Sequence, residues 1–195
     1  MLYLVRHGQT EFNRERRLQG HVDSPLTDLG VRQARAVGGL LRGLVGDGRG
    51  WRIVASPLGR TRATADLIAQ ALGAATVEFD SRLMEISCGD WDGKLRSEIA
   101  AAHPDTFTVA GAIFDLPTGE TYEAMTARLS DWLADLPSEP ERRVIAVSHG
   151  VAGRVLRGLY TGLSRADLSI QDVPQDAIFA LRGGRVERLD CEMAD

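Results

Sequence analysis

The chain alternates between short apolar runs and longer amphipathic stretches. Each short run has about four apolar or β-prone residues between turn or cap residues, which is typical of a buried strand. The predicted strands are Leu2–Val5, Ile53–Ala55, Val77–Phe79, Val144–Val147 and Ile178–Leu181. A further run, Val186–Leu189, follows the pair Gly183-Gly184, and this spacing favours a hairpin with antiparallel pairing.

The stretches between these runs have apolar residues at the spacing of amphipathic helices. The predicted helix faces are Val31, Ala34, Val37, Leu41 and Leu44; Leu58, Ala65, Ile68 and Leu72; and Tyr122, Met125, Leu129, Trp132 and Leu136. Thr27 and Ser56 are predicted helix caps, Pro57 is predicted at a first helical position, and Gly73 is a predicted helix stop. Strands that alternate with helices predict a layered α/β fold with a mixed sheet.

Length and composition limit the classes of protein to consider. With 195 residues, of which 44% are apolar and 26% charged, we expect a single domain over residues 1–195. No apolar run has the length of a membrane span, and Met1 leads into a strand without a targeting signal, so we expect a cytoplasmic protein. The net charge of −4 argues against a nucleic-acid partner, and two scattered cysteines suggest neither disulfides nor a Cys-based metal site.

The residues that follow three predicted strands are unusually rich in cationic and nucleophilic groups. Arg6 and His7 follow the first strand, Arg60 lies just after the second, and His149 follows Val144–Val147. Ligand sites of open α/β sheets gather at the carboxyl ends of the strands, so we expect these side chains to meet. Glycine follows both histidines, where a close backbone approach is expected. The sequence thus predicts an anion site, and phosphate is the favoured anion.

The order of these motifs resembles the histidine phosphatase superfamily, which includes the cofactor-dependent phosphoglycerate mutases. The resemblance covers nearly the whole chain, and the ordered set of motifs is far more specific than an Arg-His-Gly triplet alone. The residues that carry it are Arg6-His7-Gly8-Gln9-Thr10, Asn13, Gln19-Gly20, Asp23, Pro25-Leu26-Thr27, Gly30, Gln33-Ala34, Ser56-Pro57-Leu58, Arg60, Leu83, Glu85, Gly89, Trp91, Gly93, Gly119-Glu120-Thr121 and Ser148-His149-Gly150.

This resemblance implies a three-layer α/β/α fold with a central, mostly parallel mixed sheet, and it implies roles for individual residues. His7 would be the nucleophile, and Glu85 would donate and accept the proton. The groups expected to bind phosphate oxygens are Arg6, Asn13, Arg60 and His149. Thr121 departs from a family serine in the Gly-Glu-Ser pattern, and we expect it to cap the following helix rather than to react.

The chemistry expected from these residues is hydrolysis of a small phosphorylated metabolite through a phosphohistidine. Two guanidiniums and an imidazole would balance the charge on phosphate, so neither a metal nor another cofactor is expected. Glu85 must be protonated when the alcohol leaves, which predicts an acidic to neutral optimum. The leaving group would be bound by residues around Trp91, Lys94 and the segment 103–118, and neither the substrate nor the oligomeric state follows from the sequence.

Two other functions are compatible with the same residues. A phosphoglycerate mutase would return the phosphoryl group to a bound phosphoglycerate instead of to water. Here Met84-Glu85-Ile86 differs from the Asn-Glu-Arg pattern of true mutases, and the chain is short for their insertions, so hydrolysis is favoured. A regulatory protein that binds phosphorylated partners without turnover is the second alternative, although such a protein would be expected to have lost His7 or Glu85.

Overall fold

Six strands form one sheet in the computed structural model, which describes residues 1–73, 76–109 and 111–193. The strands are β1 (Leu2–Arg6), β2 (Arg52–Ala55), β3 (Glu78–Phe79), β4 (Val144–Ser148), β5 (Ala177–Arg182) and β6 (Arg185–Asp190). Their order across the sheet is β3-β2-β4-β1-β5-β6. Strands β3, β2, β4 and β1 run parallel, whereas β5 pairs antiparallel with both β1 and β6. The mostly parallel mixed sheet and its terminal hairpin are therefore confirmed.

Helices cover both faces of this sheet. They are α1 (Glu11–Arg14), α2 (Asp28–Val45), α3 (Gly59–Leu72), α4 (Arg96–Ala102), α5 (Tyr122–Ala134), α6 (Gly150–Thr161) and α7 (Arg165–Leu168). Alternate residues of a strand point to opposite faces, so Leu4 and Ala146 pack with α5 and α6, while Val5 and Val147 pack with α2 and α3. This arrangement confirms the three layers and explains why Leu2–Val5 and Val144–Val147 are continuous runs without polar alternation.

Most of the predicted helix ends are observed. The Thr27 hydroxyl accepts a hydrogen bond from the amide of Gly30 at 3.0 Å, and Thr121 caps α5 in the same way through Ala124 at 3.2 Å. Gly73 ends α3 in the left-handed conformation with φ 69°. These caps are local in sequence, which is why their residue types suffice to predict them.

The predicted start of α3 is wrong. Ser56 and Pro57 lie outside the helix, which begins at Gly59 after Leu58. The first amide instead donates to the carboxylate of Asp23 at 2.6 Å, so a loop far away in sequence supplies the cap. The Ser56 hydroxyl is instead hydrogen-bonded to the ring of His149, so it links the end of β2 to the end of β4.

The third strand is shorter and more exposed than the sequence predicts. Val77 is outside β3, which has two residues at the edge of the sheet, and Phe79 is 42% exposed. The guanidinium carbon of Arg62 lies 3.8 Å from the centre of the Phe79 ring, so a cation covers this ring instead of apolar core residues. Among the described residues, none of the helices is both long and apolar enough to cross a bilayer.

Candidate active site

The carboxyl ends of β1 and β4 bring two histidines together. Arg6 pairs with Ser148 at the last position of the parallel register, and the amide of His7 donates to the Ser148 carbonyl at 3.1 Å. The next residue of each chain segment is a histidine, and the ring centroids of His7 and His149 are 5.2 Å apart. The predicted meeting of the two imidazoles is thus present in the structure.

His7 is buried, and its ring is fixed by one hydrogen bond. Nδ1 lies 2.8 Å from the carbonyl oxygen of Gly8, and because a carbonyl only accepts, Nδ1 must carry the hydrogen. Burial, together with the charges of Arg60 and Arg6, lowers the pKa of His7 well below its ordinary value of 6.5. The imidazole is therefore neutral near pH 7, and Nε2 keeps its lone pair.

The two glycines after the histidines have different roles. A Cβ on Gly8 would lie 2.2 Å from the carbonyl oxygen of Gly30, so Gly8 is needed for the packing of α2 against this loop. A Cβ on Gly150 would make ordinary contacts of 3.5 Å with Arg6 Nε and 3.7 Å with Glu85 Oε2. The sequence predicts a close backbone approach at both glycines. The structure shows one at Gly8, where it serves helix packing, whereas the protein leaves room for a side chain at Gly150.

Arg6 is a partly buried cation whose Nε donor is itself buried. One terminal nitrogen donates to the carbonyl oxygen of Val173, while Nε is buried and has no hydrogen-bond partner in the part of the chain that the structure describes. Burial lowers the pKa of Arg6 to about 10, and the charge of Glu85 opposes that shift, so the guanidinium remains charged at neutral pH. A buried N–H without a partner is costly, and an anion beside Arg6 would satisfy it.

Arg60 lies in the first turn of α3 and is enclosed by the loop between α1 and α2. Its Nε donates to His149 Nδ1 at 3.2 Å, and one terminal nitrogen donates to Asp23 Oδ1 at 3.0 Å. Backbone carbonyls of Gly20 and Val22 accept further hydrogen bonds at 2.6 and 3.1 Å. Burial lowers the pKa of Arg60, and the nearby carboxylates oppose that shift. The loop thus holds the planar fork in one orientation beside both histidines.

His149 has protein partners at both ring nitrogens. Nδ1 accepts from Arg60, so Nε2 carries the hydrogen and donates to the Ser56 hydroxyl at 2.8 Å. Burial, followed by the charge of Arg60, lowers the pKa of His149 well below 6.5. A direct contact between His149 and phosphate requires one of these two bonds to be exchanged.

The Glu85 side chain contacts the first turn of α6. Its carboxylate accepts hydrogen bonds from the amides of Val151 at 3.1 Å and Ala152 at 2.9 Å, and from its neighbour Ile86 at 3.0 Å. The first amides of a helix have no partners inside the helix, so they are natural donors to a carboxylate. These bonds place the carboxyl group beside Arg6.

A strongly cationic cleft of about 270 Å³ lies beside these residues, although His149 is not among the residues that line it. His7, Arg6, Asn13, Arg60 and Glu85 all line it. Three further arginines, which the sequence reasoning missed, also line it: Arg17, Arg96 and Arg154. The sequence around these three arginines does not mark them as site residues, because a single arginine on a helix or loop is most often solvated.

Asn13 is oriented by two groups from opposite ends of the chain. Its Oδ1 accepts from the amide of Thr10 at 3.3 Å and from the side chain of Gln175 at 3.1 Å. The NH₂ group of Asn13 is left to donate, as a phosphate-binding residue requires. Within residues 1–73, 76–109 and 111–193, no cluster of three or more His, Cys, Asp or Glu side chains could hold a metal ion.

The fold and the strand-end site define an α/β enzyme of phosphoryl transfer with the phosphoglycerate mutase-like topology. The family model of the histidine phosphatase superfamily (branch 1) matches residues 2–183, and the chain belongs to this superfamily. The resemblance seen in the motifs is therefore confirmed over nearly the whole chain.

Among curated proteins, the chain is similar to the probable phosphoglycerate mutase GpmB of Citrobacter koseri, with 39% identity over 174 residues that cover 83% of this chain and 75% of the relative. The protein of the same name from Salmonella paratyphi C is 38% identical over 169 residues, with the same coverage of both chains.

Solved structures with the same fold include phosphatases. Mycobacterial glucosyl-3-phosphoglycerate phosphatase Rv2419c, in complex with VO3, has a TM-score of 0.76 and 28% identity over 92% of this chain and 90% of its own. Bacillus stearothermophilus YhfR has a TM-score of 0.78 and 29% identity over 97% and 95%.

Proposed function

We propose that this chain is a phosphomonoesterase that hydrolyses a small phosphorylated metabolite through a phosphohistidine on His7. The observation that carries the proposal is the pairing of a buried, neutral His7 with a partly buried Arg6: among the described residues, neither His7 Nε2 nor the buried Arg6 Nε has a hydrogen-bond partner. A nucleophile and an anion-binding donor thus line the same cleft.

The reaction would take two balanced steps. His7 Nε2 attacks phosphorus, the bond to the ester oxygen breaks, and the protonated Glu85 carboxyl gives its proton to the departing alcohol. Glu85 then takes a proton from water as the water oxygen attacks phosphohistidine, the N–P bond breaks, and free phosphate leaves. Arg6, Asn13, Arg60 and His149 would hold the phosphate oxygens.

The charge of the cleft favours esters that carry a second acidic group. Five arginines line it, and Glu85 is the acidic side chain in the same lining. Arg96 stacks on the ring of Phe107 at 4.3 Å, which leaves its N–H edges able to meet a carboxylate or a second phosphate. We expect a phosphorylated carboxylic acid to have a lower KM than a neutral phosphate ester, and Arg96→Gln to reduce that difference.

Rapid quenching with a labelled phosphate ester tests the nucleophile. The wild type should retain label in an acid-labile, alkali-stable form on His7, and His7→Ala should neither trap label nor release phosphate. His7→Gln serves as a matched variant that keeps more of the side-chain volume. Turnover by His7→Ala, or a wild type that never carries label while it turns over, would exclude the phosphohistidine route.

Mutase activity is the second candidate, because the curated relatives bear the name probable phosphoglycerate mutase. Against it, Ile86 occupies the position after Glu85 and is buried at the cleft, where the Asn-Glu-Arg pattern of true mutases would place an arginine. Incubation with 3-phosphoglycerate and its bisphosphate activator separates the two functions. Free phosphate in excess over the 2-isomer supports hydrolysis, and the opposite ratio supports the mutase.

A further inference from the structure

We propose that Arg128 is a positioning residue for Glu85: it holds the backbone on which the proton-transferring carboxyl is mounted, and Glu120 orients it. This proposal rests on the proposed role of Glu85 in proton transfer. Arg128 belongs to α5 and contacts the backbone of Glu85, whereas α6 contacts its carboxylate; the Arg128 side chain is mostly buried, with 18% of it exposed.

The segment that carries Glu85 has few hydrogen bonds of its own. After the short 3₁₀ turn Ser81–Leu83, residues 84–88 form neither helix nor strand, so their carbonyls need partners from elsewhere. Arg128 supplies them: one terminal nitrogen donates to the carbonyls of Arg82 at 2.6 Å and Met84 at 2.8 Å, and the other donates to the Glu85 carbonyl at 3.3 Å.

The guanidinium of Arg128 has no donor left over. Its remaining two N–H groups meet both carboxylate oxygens of Glu120, with Nε to Oε1 at 2.6 Å and a terminal nitrogen to Oε2 at 2.7 Å. An arginine has five N–H donors in a fixed plane, and here each has an acceptor. Lysine carries three donors on one nitrogen, so it cannot meet Glu120 and the three carbonyls together.

Glu120 is in turn tied to the same segment. Its amide donates to the Ser87 carbonyl at 2.8 Å, and its side chain is 16% exposed. The Gly119-Glu120-Thr121 motif thus has two tasks, since Thr121 caps α5 and Glu120 pairs with Arg128, about two turns further along the same helix. Glu120, which is not among the residues that line the cleft, thus has a role in the motif through its contact with Arg128.

Glu85 is therefore held from two sides. Amides of Val151 and Ala152 fix its carboxylate, and Arg128 fixes its backbone, where the ring Nε2 of His21 also contacts the carbonyl at 2.8 Å. Loss of Arg128 would leave the carbonyls of Arg82 and Met84 without this donor, leave the Glu85 carbonyl with His21 alone, and let the segment shift. A proton donor must lie within about 3 Å of the leaving oxygen, so even a small shift should slow proton transfer more than attack by His7.

The experiment compares two leaving groups in four variants. Arg128→Met, Arg128→Lys and Glu120→Gln are assayed with nitrophenyl phosphate, whose leaving group departs without a proton, and with an alkyl phosphate, whose leaving group needs one. Arg142→Met is the matched control: Arg142 is 14% exposed, pairs with Glu139 at 3.7 Å and donates to the Pro137 carbonyl at 2.9 Å, at the opposite end of the sheet.

For Arg128→Met we expect kcat with the alkyl phosphate to fall at least about tenfold more than kcat with nitrophenyl phosphate, with little change in KM. Arg128→Lys should recover part of the loss, Glu120→Gln should show a weaker form of it, and Arg142→Met should show none. In a Glu85→Gln background the Arg128→Met change should cost less than about twofold, because the group that it positions is gone.

Equal losses with both substrates, or full additivity with Glu85→Gln, would overturn the positioning role. If Arg128→Met fails to fold, the leaving-group dependence of Glu120→Gln decides, because that variant keeps the guanidinium and its carbonyl contacts. Label trapping on His7 in the same preparations shows whether the phosphohistidine route itself holds. A wild type without trapped label refutes the proposed function, whereas a labelled enzyme with unselective Arg128 variants refutes only the positioning role.

Discussion

The two buried imidazoles should make this protein lose stability as the pH falls through about 6.5. In the folded state, burial and the neighbouring arginines lower the pKa of both His7 and His149 well below that value. In the unfolded chain they titrate near their ordinary 6.5. Below that pH the unfolded chain therefore binds more protons than the folded one, and acid favours unfolding.

The size of the effect follows from linkage. While a histidine stays neutral in the folded state, lowering the pH to about 5 costs about 2 kcal/mol of unfolding free energy per imidazole, or about 4 kcal/mol for the pair. Carboxylates with lowered pKa, such as Glu78 and Asp80, act in a lower window, because their ordinary values are 4.5 and 3.8. Between about pH 7 and 5 the histidines should dominate the slope.

Urea unfolding at a series of pH values, in buffers free of phosphate, measures this slope. The variant His149→Gln can keep polar contacts with Arg60 and Ser56 but cannot titrate, so its slope should be about half that of the wild type. The lowered pKa of the Met1 amino group affects both proteins equally and cancels in the comparison. A free energy that stays flat from pH 7 to 5, or equal slopes for the two proteins, would refute the neutral, buried imidazoles.

Substitutions at three positions test separate parts of the site and of the helices that support it. Gly8→Ala places a methyl group against the Gly30 carbonyl, so it should cost about 2–3 kcal/mol in urea unfolding, and an unchanged midpoint would contradict the packing. Arg60→Lys cannot reach His149 and the enclosing loop together, so kcat/KM for nitrophenyl phosphate should fall about 10- to 100-fold, and near wild-type kinetics would rule out a need for the fork. Thr27→Ala should cost about 1 kcal/mol of thermal stability and Thr27→Ser much less, and equal losses would show that the hydroxyl does not cap α2.

The parts of the fold that the sequence predicts are those decided by neighbouring residues. Leu2–Val5 and Val144–Val147 are apolar throughout because both faces of β1 and β4 are covered by helices, and a run without alternation indicates such strands. Parallel neighbours end at the same edge, so the approach of His7 and His149 follows once both runs are recognised as strands.

The parts that could not be predicted depend on groups far apart in the chain. Asp23 caps α3 from the loop between α1 and α2, and no local pattern distinguishes it from any other loop aspartate. Arg17, Arg96 and Arg154 reach the cleft because long side chains can extend to it from a loop and from the helices α4 and α6. Tertiary packing decides where the charged end of a long, flexible side chain lies, and the residue type alone does not show that position.

The electrostatics of the site link its stability to its chemistry. Neutral imidazoles are favoured where cations are near, and buried cations are tolerated only where acceptors surround them. Arg60 meets this condition with two carbonyls, a carboxylate and His149, whereas the buried Nε of Arg6 finds no acceptor among the residues that the structure describes. The same arrangement that keeps His7 nucleophilic thus leaves one strong donor unsatisfied until an anion binds. Phosphate binding should therefore stabilise the fold as well as start the reaction, because it supplies the acceptor that the protein withholds from Arg6.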